Sequence, residues 1–116
     1  MVGGRRRDSG ARAEDRARRY LEDQGLKLRE RNVGSRRGEI DLVMEDGGTL
    51  VFVEVRYRRS SRFGSAEATV GPEKQRRLIR AAGAYLQRAG VEAPCRFDVV
   101  AVTPETVTWI ADAFSA

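Results

Sequence analysis

The chain has 116 residues, 34% of them charged, and a formal net charge of +5. That length supports one domain with a single core. The sequence contains no histidine and one cysteine, Cys95, which excludes His-dependent catalysis, His or Cys-cluster metal sites and an internal disulfide. Such cysteine usage predicts a reducing, cytoplasmic location. No apolar run approaches the roughly 18 residues of a membrane span, so we expect no membrane insertion.

The charges are distributed unevenly along the chain. Residues 1–37 carry twelve Lys and Arg against six Asp and Glu, and residues 56–80 carry eight against two. Residues 38–55 carry five acidic residues and no basic one. An acidic centre between basic flanks favours a polyanion held around a cation site, whereas the alternative is an ordinary Arg-rich surface. Residues 1–8 are predicted to form a disordered basic tail, and residues 9–116 a single domain.

The first predicted element is a helix that begins at residues 8–10, where Asp, Ser and Gly can provide a cap, and runs to about Gln24. Glu14 lies at the edge of its apolar face, while Arg12 and Arg16 point away from that face. The apolar face consists of Ala13, Ala17, Tyr20 and Leu21.

Three strands are predicted to follow this helix. Residues 26–33 indicate a weak edge strand, because charged residues alternate with few apolar ones. Residues 38–44 and 51–57 are apolar, β-branched runs around a Gly-rich turn, which predicts an antiparallel hairpin. The long loop of residues 58–70 is rich in Ser, Arg and Gly, and loops of that length inside a compact domain are usually functional or mobile.

A second helix and two strands complete the predicted fold. Gly71 and Pro72 begin a helix that ends at Gly90, and strands follow at residues 95–102 and 106–110. The order αβββαβ with a small final strand predicts an α/β fold, in which helices flank a mixed sheet.

The hairpin carries acidic residues inside strands that otherwise read as buried core. Residues two apart share a face of a strand, so Glu54 and Arg56 point together, as do Glu39 and Asp41. If the register brings Asp41 near Glu54, the two carboxylates need a positive partner between them. Mg²⁺ suits such oxygen ligands, although buried Arg partners would satisfy the pair equally well. Glu14 would supply a third carboxylate if the first helix covers this face.

Together these motifs give a resemblance that spans residues 10–114. The chain resembles the YraN-like family of small uncharacterised bacterial proteins, within the restriction-endonuclease-like PD-(D/E)-x-K nuclease superfamily, and more distantly the archaeal Holliday junction resolvases. The matching residues are Gly10, Glu14, Ala17, Tyr20-Leu21, Gly38-Glu39-Ile40-Asp41-Leu42, Phe52-Val53-Glu54-Val55-Arg56, Phe63-Gly64, Lys74-Gln75 and Arg96-Phe97-Asp98-Val99-Val100.

The resemblance implies a restriction-endonuclease-like core and a set of metal ligands. The implied ligands of Mg²⁺ or Mn²⁺ are Asp41, Glu54, the backbone carbonyl of Val55, and Glu14. The superfamily's catalytic Lys falls on Arg56, which keeps the charge but lacks the compact ammonium group.

Several further residues are assigned to the site or to its surroundings. Lys74 is a candidate substitute for the missing catalytic lysine. Its neighbour Gln75 is interpreted as a site residue, against a hydrogen-bonding role at the helix start. Glu39 is read as a supporter or Arg partner, and Asp98 as a structural residue paired with a nearby Arg. Predicted nucleic-acid contacts are Arg58, Arg59, Arg62 and Lys74, whereas Tyr57 and Trp109 are read as core or interface residues.

The functional expectation is a metal-dependent endonuclease that hydrolyses phosphodiester bonds in DNA, with branched or junction DNA as substrate. A homodimer is the corollary, since resolving a symmetric junction needs two active sites. The alternative is a nucleic-acid-binding protein of the same fold in which Arg56 has weakened or silenced cleavage. A third hypothesis is an adaptor whose basic face binds an acidic protein.

Overall fold

Two helices and five strands form the part of the chain that the structure describes. The computed structural model describes residues 2–34, 39–59 and 70–116, with side chains from Gly10 onward in the first range. The helices are α1 (Val2–Asp23) and α2 (Pro72–Ala89), and the strands are β1 (Lys27–Val33), β2 (Ile40–Asp46), β3 (Thr49–Tyr57), β4 (Cys95–Val102) and β5 (Val107–Phe114). No helix within these residues is long and apolar enough to cross a membrane.

The strands form one mixed sheet in the order β1-β2-β3-β4-β5. Strand β3 pairs in parallel with β4, and the other neighbours are antiparallel. A parallel pair needs a crossover, which α2 provides between β3 and β4. The predicted α/β fold, an αβββαβ core with a mixed sheet flanked by helices, is confirmed.

The helices lie on opposite faces of the sheet because the strand residues alternate. In β3, Phe52 packs with the apolar stripe of α2, whereas Val51 and Val53 pack with that of α1. The buried residues of α1 are Ala13, Ala17 and Leu21, as the helical spacing predicts, and those of α2 are Leu78, Ala81, Ala82 and Tyr85. Each central strand is therefore covered on both faces.

The ends of α2 match the sequence signals. Gly71 is the N-cap, Pro72 occupies the first turn, and Gly90 ends the helix in a left-handed conformation with a φ of 64°. The start of α1 differs from the prediction. Helix α1 begins at Val2, upstream of the cap expected at residues 8–10. The division into a tail and a domain at residue 8 stays a prediction.

Strand β5 is longer than the predicted residues 106–110. The alternating pattern breaks at Asp112, which has a φ of 53° and lies where the register with β4 shifts. The strand then continues to Phe114, whose ring stacks on Phe97 with centroids 4.9 Å apart. The alternating pattern in the sequence therefore stops at a bulge, whereas the strand itself continues beyond it.

Asp98 fills this bulge and is fully buried, at 0% exposure. It accepts hydrogen bonds from Arg96 Nε at 3.0 Å, from Trp109 Nε1 at 2.9 Å and from the Asp112 backbone N–H at 2.9 Å. The structural role and the Arg partner predicted for Asp98 are confirmed. Its carboxylate replaces the backbone acceptor that the irregular ladder lacks, so it ties β4 to β5.

Asp98→Ala is expected to lower the free energy of unfolding by about 3–4 kcal/mol, because it leaves the N–H donors of Trp109 and Asp112 without their acceptor and removes the fully buried partner of the half-buried Arg96. The measurement is urea denaturation of the purified variants. Asp46→Ala is the matched control, since Asp46 also pairs with Arg96, at 3.1 Å, but its side chain is 43% exposed. It should cost under about 1 kcal/mol. Equal losses in the two variants would contradict this role.

Candidate active site

A two-residue turn sets the register of β2 against β3. Gly47 has a φ of 62°, the left-handed region that favours glycine in tight hairpins. The strand pairs run from Asp46 opposite Thr49 to Leu42 opposite Val53. One further step places Asp41 level with Glu54, as the hairpin hypothesis required.

The regular pairing of β2 with β3 stops at this step. Beyond it, the backbone N–H of Val55 donates to Asp41 Oδ2 at 2.7 Å, so the acceptor on β2 is a side-chain oxygen instead of a backbone carbonyl oxygen. On its other side β3 stays paired with β4 as far as Tyr57 opposite Val102. The Asp41 carboxylate is therefore held at a fork where β2 separates from β3 while it remains paired with β1 through Ile40.

Glu54 lies beside Asp41 and is only 4% exposed. The two carboxyl groups are hydrogen-bonded to each other. Burial raises the pKa of Glu54 to about 7, and the adjacent Asp41 charge adds to this, whereas Lys74 and Arg56 act in the opposite direction. Burial also raises the pKa of Asp41, against the bond from Val55 N–H. Because ionising both carboxyls places two negative charges side by side in a largely desolvated site, the pair favours binding a proton or a cation.

Two cationic side chains reach the pair from the α2 face of the sheet. Lys74 Nζ lies 3.7 Å from Glu54 Oε2, and Arg56 Nη1 lies 3.6 Å from the same oxygen. Arg56 follows Glu54 by two residues on β3, and Lys74 lies in the first turn of α2. The structure thus brings together four residues of the predicted site.

Glu14 approaches from α1. Burial raises the pKa of Glu14, and the charge of Asp41 raises it further, whereas Arg31 and a hydrogen bond with the Asn32 side chain lower it. Glu14 is therefore an electrostatic neighbour of Asp41. No three acidic or cysteine side chains among residues 2–34, 39–59 and 70–116 form a group that could hold a metal ion. The carboxylates placed side by side to bind a metal ion are therefore two, Asp41 and Glu54, and do not include Glu14.

The remaining predicted site residues have separate positions. Gln75 Nε2 donates to the Val70 carbonyl oxygen at 2.9 Å, which is the hydrogen-bonding role weighed against a site role. A catalytic role for Gln75 stays a prediction. Arg58 is half-buried and Arg59 exposed where β3 ends, whereas Arg62 lies outside the described residues.

Sequence reasoning missed a feature at the end of β3. Tyr57, read as core or interface, is 45% exposed. It lines a pocket with Arg12 and Arg16, which were expected to point away from the apolar face of α1. The alternation of β3 could have indicated this, because Tyr57 shares the α1 face with Val53 but lies at the strand end.

Comparison with known proteins places the chain in a family. The model of the uncharacterised protein family UPF0102 matches residues 13–102. This chain belongs to the UPF0102 family. Within it, the chain is 54% identical to a protein of Nitrosococcus oceani over 114 residues, covering 93% of this chain and 92% of the relative. It is 49% identical to a protein of Yersinia enterocolitica over 113 residues, covering 95% and 97%. Both relatives are named UPF0102 proteins.

The UPF0102 match spans every element of the site. It includes Glu14, the β2–β3 hairpin and Lys74. The predicted membership of a family of uncharacterised bacterial proteins is confirmed, and the nuclease superfamily stays a prediction.

The pair makes the stability of the metal-free protein depend on pH. Glu54 binds its proton more tightly in the folded state, with a pKa of about 7, than at its ordinary value of 4.5. The resulting stabilisation is complete below the lower value and is lost as the pH rises through the higher one. We expect the free energy of unfolding in EDTA to fall by about 3 kcal/mol across this range, relative to Glu54→Gln. Parallel pH profiles in urea titrations would contradict it.

Proposed function

We propose that this protein is a metal-dependent endonuclease that hydrolyses phosphodiester bonds in DNA, with branched or junction DNA as its substrate class. The observation that carries the proposal is the pairing of the half-buried Asp41 with the buried Glu54 at the fork of β2 and β3, with Lys74 and Arg56 beside it. Two adjacent carboxyls whose pKa values are raised by burial are a costly structural element. It is a good cation site.

The donor set fits Mg²⁺ or Mn²⁺. These ions bind oxygen ligands and commonly use one or two carboxylates, with the other positions left to water and substrate. Asp41, Glu54 and the backbone carbonyl of Val55 would hold the ion, and Glu14 would act on it through Asp41. Such an ion activates water as a nucleophile and stabilises the charge that develops on a phosphodiester.

The protein's own groups would orient the reaction. The Val55 N–H fixes one carboxylate oxygen of Asp41, so the pair keeps its geometry when a bound proton leaves. Lys74 brings a compact ammonium group with three donors, which suits the orientation of a water molecule. Arg56 stays protonated and cannot serve as a base, but its planar fork suits a phosphate oxygen. This assigns Lys74 the role of the superfamily lysine and Arg56 that of a phosphate clamp.

The sequence resemblance supports the substrate class. The site residues match the nuclease motif, and the more distant likeness to junction resolvases favours branched DNA over a duplex of fixed sequence. The excess of basic residues on both flanks of the acidic hairpin suits a polyanion. A homodimer, with one site for each strand of a symmetric junction, belongs to the same proposal.

One observation favours a second candidate, a nucleic-acid-binding protein of the same fold with weak or no cleavage. Two cations lie within 3.7 Å of Glu54, so the space beside the pair already has positive charge. If these contacts persist with DNA bound, they would repel a divalent ion. The two candidates agree on DNA binding and differ in whether a metal enters.

Asp41→Asn is expected to lower the cleavage rate of branched DNA in Mg²⁺ or Mn²⁺ at least about a hundredfold, because an amide cannot replace an anionic metal ligand. The assay follows a labelled four-way junction, a flap and a single strand. Asp46→Asn, the same change at the exposed end of the same strand, is the control and should cleave at the wild-type rate. If wild type and Asp41→Asn behave alike on every substrate while both bind DNA, the binding candidate stands and the nuclease fails.

Lys74→Gln is expected to lower the cleavage rate at saturating Mg²⁺ by about tenfold or more while changing the DNA Kd by less than about threefold, since the lysine acts on the reacting group. Arg56→Lys keeps the charge but loses the planar fork, so it should weaken DNA binding while the rate at saturating DNA stays within about threefold of wild type. Single-turnover kinetics separate the two effects. The assignment of Lys74 is wrong if its loss weakens only binding, or if Arg56→Lys alone abolishes cleavage.

A further inference from the structure

A pocket of about 220 Å³ lies where α1 crosses the ends of β3 and β4. Its size is below the roughly 300–1,000 Å³ of sites that enclose whole drug-sized ligands, so it suits one planar group. Strands β3 and β4 end together there, and the Arg58 N–H donates to the Val102 carbonyl oxygen at 2.9 Å. The lining residues are Arg12, Ala13, Arg16, Tyr57, Val102 and Pro104.

Tyr57 provides an exposed aromatic ring on a rigid backbone. Its side chain is 45% exposed, and no other large hydrophobic residue among those described is classed as exposed. Its Cα pairs with that of Val102 in the central, parallel part of the sheet. A fixed aromatic ring beside the apolar surfaces of Val102 and Pro104 is a surface on which another planar group can stack.

Two guanidinium groups give the pocket its charge. Arg12 and Arg16 lie one turn apart on α1, and none of the described residues that line the pocket is acidic. Arg16 is half-buried, and its Nη1 donates to the Thr103 carbonyl oxygen at 2.6 Å. That bond fixes the guanidinium plane and uses one of its five N–H donors, so others can face a ligand. The pocket therefore combines a stacking surface with anion-binding groups.

We infer that this pocket binds one unpaired nucleotide of a nucleic-acid strand, with its base stacked on Tyr57 and a phosphate bound by Arg12 and Arg16. The inference deepens the proposed function and rests on nucleic acid as its ligand. A nucleotide carries both a planar ring and an anion. An acidic peptide would use the arginines but leave the exposed ring without a stacking partner, so the nucleotide fits the lining better.

The position of the pocket relative to the carboxyl pair indicates how one DNA strand could occupy both sites. Tyr57 follows Glu54 by three residues on β3, a separation of about 10 Å along an extended strand. Glu54 faces the α2 side of the sheet and Tyr57 the α1 side. However, Tyr57 is the last residue of β3, so a DNA strand whose phosphate lies at the carboxyl pair can pass around the strand end and bring a nearby base to Tyr57. Because a base inside a duplex is already stacked on both faces, the subsite favours DNA with unpaired nucleotides, such as those at flaps and branch points.

The test is binding of a short single-stranded DNA oligonucleotide that carries one 2-aminopurine, in EDTA to prevent cleavage. Anisotropy gives the Kd, and quenching of the 2-aminopurine emission reports stacking. We expect wild type to quench the emission, Tyr57→Ala to lose most of the quenching and bind about tenfold or more weakly, and Tyr57→Phe to behave as wild type. Arg12→Ala should weaken binding and reduce the salt slope by about one.

Arg80→Ala, an exposed arginine on α2, is the control for charge and should bind within about twofold of wild type. Thermal melts establish that each variant is folded. The inference is overturned if Tyr57→Ala and Arg12→Ala bind and quench as wild type does. It is also overturned if polyglutamate, but not the oligonucleotide, binds in an Arg12-dependent manner.

The outcome is separable from that of the proposed nuclease. If the variants respond as expected but wild type cleaves no DNA in Mg²⁺ or Mn²⁺, the nucleotide subsite stands and the endonuclease fails. If wild type cleaves junctions and Tyr57→Ala binds, quenches and cleaves like wild type, the endonuclease stands and the subsite fails.

Discussion

The hydrogen bond from the Val55 backbone to the Asp41 carboxylate is the contact on which the site depends. It occurs where β2 stops pairing with β3, and it holds Asp41 against Glu54, which is 4% exposed. Without it, no backbone contact to β3 would hold Asp41 beside Glu54 beyond the last β2–β3 pair, Leu42 opposite Val53. With it, the two carboxyls stay side by side. Their raised pKa values mean that the pair favours a positive partner, whether a proton, a lysine or a metal ion.

The topology of the sheet supplies the rest of the site. A crossover between parallel strands returns along the sheet, so α2 begins near the end of β3 and places Lys74 over Glu54. The opposite helix, α1, brings Glu14 towards Asp41 and lines the pocket of Tyr57 with arginines. Strand β3 is the common element, because Glu54 and Tyr57 lie within four consecutive residues of it. The carboxyl pair with Lys74 and Arg56 lies on the α2 face of this strand end, and Tyr57 lies on the α1 face beside Arg12 and Arg16.

The sequence predicted most of the fold because its signals are local. The Gly-rich turn, the alternation of β3 and the caps of α2 each specify a conformation over a few residues. The meeting of Asp41 and Glu54 was conditional on the hairpin register, and the two-residue turn of the structure fulfils that condition. The sequence could not predict the contacts that depend on distant segments, such as the ties of Asp98 to Trp109 and Asp112 across a bulge. Of the two roles considered for Tyr57, core or interface, its exposure excludes the core, and the sequence could not show this because exposure at a strand end depends on where α1 crosses it.

The choice between a nuclease and a DNA-binding protein depends on whether a divalent ion displaces the bound proton and the nearby ammonium group. The most direct measurement is a crystal structure of the protein soaked in Mn²⁺, with anomalous diffraction data. The account predicts an anomalous peak between Asp41 and Glu54, within coordination distance of the Val55 carbonyl oxygen, with Lys74 moved away from Glu54. Lys74 and Arg56 still in contact with Glu54, and no peak between the carboxylates, would contradict it.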